Sequence, residues 1–150
     1  MAEVREIREM RQEDKDIVID MMRRFYSSDA LITNGSEEIF ASNVDNCLNG
    51  SPYVEGFIFT VEGKVAGYGM LAKSFSTEFG SECIWIEDIY LEEEYRGRGI
   101  GSRFIQYVKD RYADKVLRLE AESDNKKAIA TYEKNGFRKL PYMELVLTRR

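Results

Sequence analysis

Apolar and polar residues follow two rhythms along this chain, and each change of rhythm marks an element. Residues 4–10, VREIREM, alternate closely enough to predict an edge or half-exposed strand. Ile17, Val18, Met21, Met22 and Phe25 then recur at helical spacing, which predicts an amphipathic helix over roughly 13–26. A second helix should begin after Ser36, whose hydroxyl can cap it, with Glu37 and Glu38 beside its positive end. Ile39, Phe40, Val44, Cys47 and Leu48 form its apolar positions, and Gly50 can stop it.

From residue 53 the rhythm becomes that of strands. YVEGFIFTV and KVAGYGMLAKS flank Glu62-Gly63, which predicts an antiparallel hairpin. FSTEFGSE, residues 75–82, makes a looser turn into CIWIEDIYL, residues 83–91, rich in β-branched and aromatic side chains. Ile100, Phe104, Ile105, Val108 and Tyr112 mark one helix face. KVLRLEA, residues 115–121, predicts a further strand, and residues 125–134 a short helix ended by Asn135-Gly136. The last stretch, FRKLPYMELVLT, returns to strand character around a proline. The expected fold class is mixed α/β: a mostly antiparallel sheet flanked by about four helices.

Composition narrows the function classes. A length of 150 residues suits one domain, 1–150, with one proper core. No apolar run reaches the length of a membrane span, and the first ten residues lack the apolar core of a signal peptide. Cys47 and Cys83 are too few for a disulfide framework, so a cytoplasmic protein away from membranes is expected. A net charge of −5 argues against broad nucleic-acid binding. The chain has no histidine, which removes the commonest general base and the commonest zinc ligand together. No metal site is expected, and acid–base chemistry falls to Glu, Asp, Tyr, Lys or Cys.

One stretch stands out against this ordinary background: Arg96 to Gly101 reads RGRGIG, between a predicted strand and a predicted helix. A helix start offers free N–H donors and a partial positive charge, and glycines let an anion come close to them. Arg96, Arg98 and Arg103 add charge. The pattern predicts a phosphate cradle, with a plain structural turn as the alternative. A Walker loop would need lysine where Ser102 stands. A dinucleotide fingerprint fits Gly97, Gly99 and Glu120, but Ser102 holds its third glycine position, and EEEYR separates the strand from the first glycine.

The segment resembles the GNAT N-acetyltransferases, whose phosphate loop reads Q/R-x-x-G-x-G/A; Arg96, Gly99 and Gly101 fill that pattern. IEDIYLEEEYRGRGIGSRFI looks like the family's central strand, loop and helix. NKKAIATYEKNGF, residues 125–137, resembles its second motif through Asn125, Ala128, Tyr132, Gly136 and Phe137. The resemblance implies a sheet splayed between the strands at 83–91 and 115–121, with acetyl-CoA in the gap. It places the cofactor's pyrophosphate on the amides of Gly97, Arg98, Gly99, Ile100, Gly101 and Ser102, near Arg96. It pairs the pantetheine arm with the backbone of Ile89, Tyr90 and Leu91, and gives Asn125 a hydrogen bond to that arm, besides its possible role as a helix N-cap.

The implied reaction is acetyl transfer to a primary amine by direct attack in a ternary complex. An alkylamine of pKa near 10.4 is about one part in two thousand unprotonated at pH 7, so a base is needed. Glu87, a charge in the middle of an apolar strand, is the candidate base, directly or through water. Asp88 could bind a cationic acceptor, but strict alternation sends Glu87 and Asp88 to opposite sheet faces unless the strand bulges. Tyr132 matches the family's proton donor to the leaving sulfur, with an aromatic packing role as its alternative. Trp85 and Tyr26 are expected at the acceptor cleft, with Phe25, Tyr53 and Phe75 as further wall residues. Glu92, Glu93 and Glu94 read as a solvated run, and Cys83 as a buried small hydrophobe.

The acceptor is encoded outside the two motifs, around 24–50, 75–82 and the C-terminal strands. A small cationic amine or a peptide lysine amine suits the acidic residues, with the protein as monomer or homodimer. Two other classes stay in view: a non-catalytic acyl-CoA-binding sensor and a nucleotide-binding module of another kind.

Overall fold

The computed structural model describes residues 3–27 and 36–149. Five strands form one sheet in the order of the chain: β1 (Arg5–Glu9), β2 (Val54–Val61), β3 (Lys64–Ser76), β4 (Ser81–Leu91) and β5 (Val116–Leu119). Neighbours from β1 to β4 run antiparallel, while β4 and β5 are parallel. The parallel step needs a crossover, and helix α3 (Ile100–Arg111) supplies it. Helices α1 (Lys15–Tyr26) and α2 (Glu37–Leu48) lie between β1 and β2 in the chain, and α4 (Lys126–Lys134) follows β5.

Local chemistry accounts for the joints. The Ser36 hydroxyl accepts the Ile39 amide at 3.2 Å and starts α2 as its sequence predicts. At the β2–β3 turn both Glu62 (φ 50°) and Gly63 (φ 76°) are left-handed, the geometry a two-residue hairpin requires. The strain at Glu62 is held by two bonds to the start of β1. Its amide donates to the Val4 carbonyl at 2.7 Å, and its carboxylate accepts the Val4 amide at 2.8 Å. Buried Asp14 accepts Arg8 at 2.7 and 2.9 Å and the Arg11 amide at 2.7 Å, fixing the entry to α1.

Strand alternation divides the core into two. On one face Phe57, Phe59, Val61, Leu71, Ile84 and Ile86 meet Ile100, Phe104, Ile105 and Val108 of α3. On the other, Ile58, Tyr68, Met70 and Tyr90 meet Val18, Met21 and Met22 of α1 and Phe40 and Val44 of α2. Burying such a side chain contributes about 1.5–3 kcal/mol each, so the two helical layers and the sheet depend on one another. Ile17 and Ile39, placed by spacing on the apolar faces, are instead exposed, because each lies at the edge of its stripe.

β4 does not keep one rhythm. Met70 pairs with Asp88 and Leu71 with Ile86, which leaves Glu87 as an extra, unpaired residue. Before this bulge Ile86 faces α3; after it Ile89 and Leu91 do. Glu87 and Asp88 therefore share the face covered by α1 and α2, the exception that alternation alone could not anticipate.

Two strand expectations need correction. β5 is shorter than 115–121, and residues 137–149 form no strand. Leu145 (86% exposed), Met143, Val146, Leu147 and Tyr142 stand in solvent. Their alternation reports a propensity, but a strand exists only where a partner accepts its backbone bonds, and Pro141 has no N–H to offer. Of the stretch expected to shape the acceptor side, residues 28–35 lie outside the described residues.

Candidate active site

β4 pairs with β5 only from Cys83–Val116 to Ile86–Leu119. From Glu87 to Leu91 that side of β4 has no neighbouring strand among the described residues, so the sheet opens there. An unpaired strand side offers backbone donors and acceptors to an extended ligand. A 3₁₀ turn, Glu93–Tyr95, carries the chain from the open end of β4 to α3.

Gly97 (φ 74°) and Gly99 (φ 80°) make this turn left-handed, a conformation costly to other residues. A Cβ at either would meet nothing within 4 Å, so the loop faces open space. Gly99 is the N-cap of α3 and brings no side chain to its free amides. The first helical bond runs from the Arg103 amide to the Gly99 carbonyl at 3.0 Å; the amides of Ile100, Gly101 and Ser102 precede it and point out of the helix start. Such a start is a ready anion site.

The arginines around the loop already have work. Arg96 Nε donates to the Leu91 carbonyl at 2.8 Å, and its guanidinium lies 5.5 Å from the Tyr90 ring centre. Leu91 thus offers a ligand less than Ile89 does. Arg98 stacks on Tyr95 and pairs with Glu3 at 3.2 Å. Arg5 of β1 donates to the Arg98 carbonyl at 2.6 Å, tying the first strand to the loop's backbone. The Asn135 amide donates to Ser102 Oγ at 3.2 Å and ties the end of α4 to the start of α3.

One turn before Asn135, Tyr132 is half-buried against the α3-side core, its ring 6.3 Å from Phe137. Burial raises its phenol pKa, so it keeps its proton at neutral pH. Asn125 caps α4, its Oδ1 accepting the Ala128 amide at 3.3 Å.

Across the sheet the bulge sets two carboxylates side by side. Asp88, 5% exposed, accepts the Tyr68 hydroxyl at 2.9 Å and the Tyr26 hydroxyl at 3.2 Å. Burial raises its pKa, and the two phenols oppose that rise. Both tyrosines are in turn pushed well above the usual phenol range by burial and then by the Asp88 charge. Glu87 reaches solvent. Its pKa is nevertheless raised, first by the protein around it and then by the charges of Asp88 and Glu144. Cys47 is pushed up to about 11 by burial, Asp88 and Glu55, which leaves it an inert thiol. Among the described residues no cluster of His, Cys, Asp or Glu could hold a metal ion, and no helix is long and apolar enough to cross a membrane.

The acetyltransferase (GNAT) family model matches residues 17–137, most of the chain. The chain belongs to that family. A bovine thialysine N-epsilon-acetyltransferase (Bos taurus) is 42% identical over 83 residues, 53% of this chain and 48% of the relative. The chain thus spans about half the length of the curated relatives it matches at this level. A possible acetyltransferase from Clostridium difficile 630 superposes with a TM-score of 0.83 at 23% identity, covering 98% of this chain and 99% of the other. An aminoglycoside N-acetyltransferase in complex with CoA gives 0.81 at 13% identity, covering 100% and 98%. Both share the fold.

In this GNAT chain the residues singled out by sequence fall on both faces of the sheet. Glu87, Asp88, Trp85 and Tyr26 lie on the α1–α2 side and Tyr132 against the α3-side core, with the glycine loop following the unpaired end of β4. Tyr53 and Phe75, expected as cleft walls, are 71% and 63% exposed surface residues. Sequence reasoning singled out neither Tyr68, which bonds Asp88, nor Arg118, which stacks on Trp85. Tyr68 gave no separate signal, being one aromatic among many in an apolar strand. Arg118, a lone charge in VLRL, carried the same signal that marked Glu87.

Proposed function

We propose that this chain is an acetyl-CoA-dependent N-acetyltransferase acting on a primary amine. The observation that supports this best is the continuous path from the unpaired stretch of β4, Glu87–Leu91, to the uncapped start of α3. Its open glycine turn has room for a pyrophosphate, and Ile89 has a strand edge free for an extended arm. Bound there, acetyl-CoA supplies an activated thioester. Glu87 takes a proton from the acceptor's ammonium, directly or through water. The amine nitrogen then bonds the acetyl carbon and the C–S bond breaks. Tyr132 gives its proton to the departing sulfur, and the second proton shed by the new amide nitrogen restores the phenol through solvent. Asp88 keeps the acceptor side negative and, through Tyr26, anchors the end of α1. A cationic acceptor fits Glu87, Asp88 and Glu144, and the bovine relative is named for an Nε amine. We further read residues 1–150 as one cytoplasmic domain working without a metal or nucleic acid.

Thermal unfolding with acetyl-CoA, CoA and NAD added separately tests the binding step. A ligand at a hundredfold over its Kd adds about 2.7 kcal/mol of stability, or roughly 5–11 °C for a chain this size. Acetyl-CoA and CoA should raise the melting temperature and NAD should not; no shift with either CoA compound overturns the reading. Tyr132→Phe should lower kcat by about a hundredfold or more while leaving CoA affinity near that of the parent. Equal losses in both would reduce Tyr132 to a packing residue.

A further inference from the structure

Arg118 is a cation that the proposed chemistry leaves unused. It stands on β5 opposite Trp85, and its neighbours Leu117 and Leu119 pack toward α3, so Arg118 lies on the α1–α2 side with Glu87. It is half-buried, its guanidinium carbon 4.4 Å from the Trp85 ring centre. Stacking on an indole holds the guanidinium plane; one N–H reaches the Cys83 sulfur, and the remaining N–H groups of the five can meet a carboxylate.

Among the described residues Arg118 shares the lack of a carboxylate partner with Arg96, Arg103, Arg138 and Arg149, and with Arg96 of the glycine loop it also shares an aromatic ring to stack on. Arg5, Arg8, Arg23, Arg24, Arg98 and Arg111 each hold a carboxylate within 4 Å. Arg118 holds none among the described residues, in a chain with 27 acidic side chains. The groups that feel it are the Cys83 thiol and the Tyr142 phenol, and that phenol hydrogen-bonds Glu78. A stacked, partly desolvated guanidinium without an acid partner is a receptor for an anion brought from outside.

Its place relative to Glu87 says what that anion belongs to. Glu87 is two residues along β4 from Trp85, so the two backbone positions are roughly 8 Å apart by strand spacing and rise. We propose that Arg118 binds the carboxylate of the acceptor while its amine lies at Glu87. The acceptor is then a free amino acid with a side-chain amine, of lysine type. A polyamine or an amino sugar has nothing for Arg118 to bind. The inference rests on the acetyl-transfer reading above and names that reaction's substrate class.

The test compares free L-lysine with cadaverine, which lacks only the carboxylate, at saturating acetyl-CoA, by CoA thiol release. The parent should prefer lysine in kcat/KM by about ten- to a hundredfold, the worth of a charged hydrogen-bonded pair. Arg118→Met, which keeps an apolar stem on Trp85, should lower lysine turnover by that factor beyond any change with cadaverine, chiefly through KM. Arg118→Lys should recover part of the preference. Equal use of both amines by the parent, or an equal loss with both in Arg118→Met, overturns the inference. If only a polyamine or an amino sugar is acetylated, the inference falls while acetyl transfer stands. If no amine is acetylated, both fall.

Discussion

Glu87→Gln is expected to lower kcat by about a hundred- to ten-thousandfold, the usual contribution of a general base. The size follows from the acceptor: freeing an alkylammonium of its proton at pH 7 costs about 4–5 kcal/mol. The pH profile adds a second, independent sign. The base works only when ionised, so the rate must rise with pH through the Glu87 pKa. Burial and the charges of Asp88 and Glu144 raise that pKa, so the acidic limb lies above the ordinary glutamate value of about 4.3. Glu144→Gln removes one like charge and should move the limb to lower pH. Glu87→Gln should abolish it. A Glu87→Gln enzyme within a few-fold of the parent, with the limb intact, would remove Glu87 from the chemistry.

The second large effect is on folding. Gly67 of β3 faces Leu91 of β4, and a Cβ there would lie inside van der Waals contact of the Tyr90 carbonyl oxygen and 3.1 Å from the Leu91 Cα. Both are backbone atoms, which cannot rotate away. Gly67→Ala should therefore force β3 and β4 apart at the open end of β4, costing about 3 kcal/mol or more. Calorimetry should show a melting temperature lower by roughly 6–12 °C. Because the displaced segment includes the strand edge proposed for the cofactor arm, CoA affinity should fall as well. An unchanged melting temperature would mean that the two strands slide without loss, against the packing described here.

The local plan of the fold was legible because it rests on local chemistry. Ser36 caps α2, Glu62-Gly63 turns the hairpin, and the apolar stripe of α3 packs as its spacing requires. The glycine turn was legible for the same reason: left-handed backbone before a helix leaves amides exposed whatever surrounds them. Strand ends were less legible. β3 and β4 run on to Ser76 and from Ser81 through part of the expected loop, because each supplies the other's hydrogen bonds. The C-terminal residues kept the strand alternation and formed no strand for want of such a partner.

The candidate site divides along the same line. By itself the sequence determined the element order as far as α4 and the RGRGIG turn, since residue type and spacing carry that information, and its resemblance to the family marked Glu87, Asp88 and Tyr132 as the groups worth watching. Only the tertiary structure decided that Glu87 and Asp88 share a face, that Asp88 is held by Tyr26 and Tyr68, and that Arg118 stacks on Trp85 without an acid partner. One extra residue in β4 reverses the direction of every side chain after it, and whether that residue is accommodated depends on how β3 pairs, a contact between positions some twenty residues apart, as in the Tyr68–Asp88 bond.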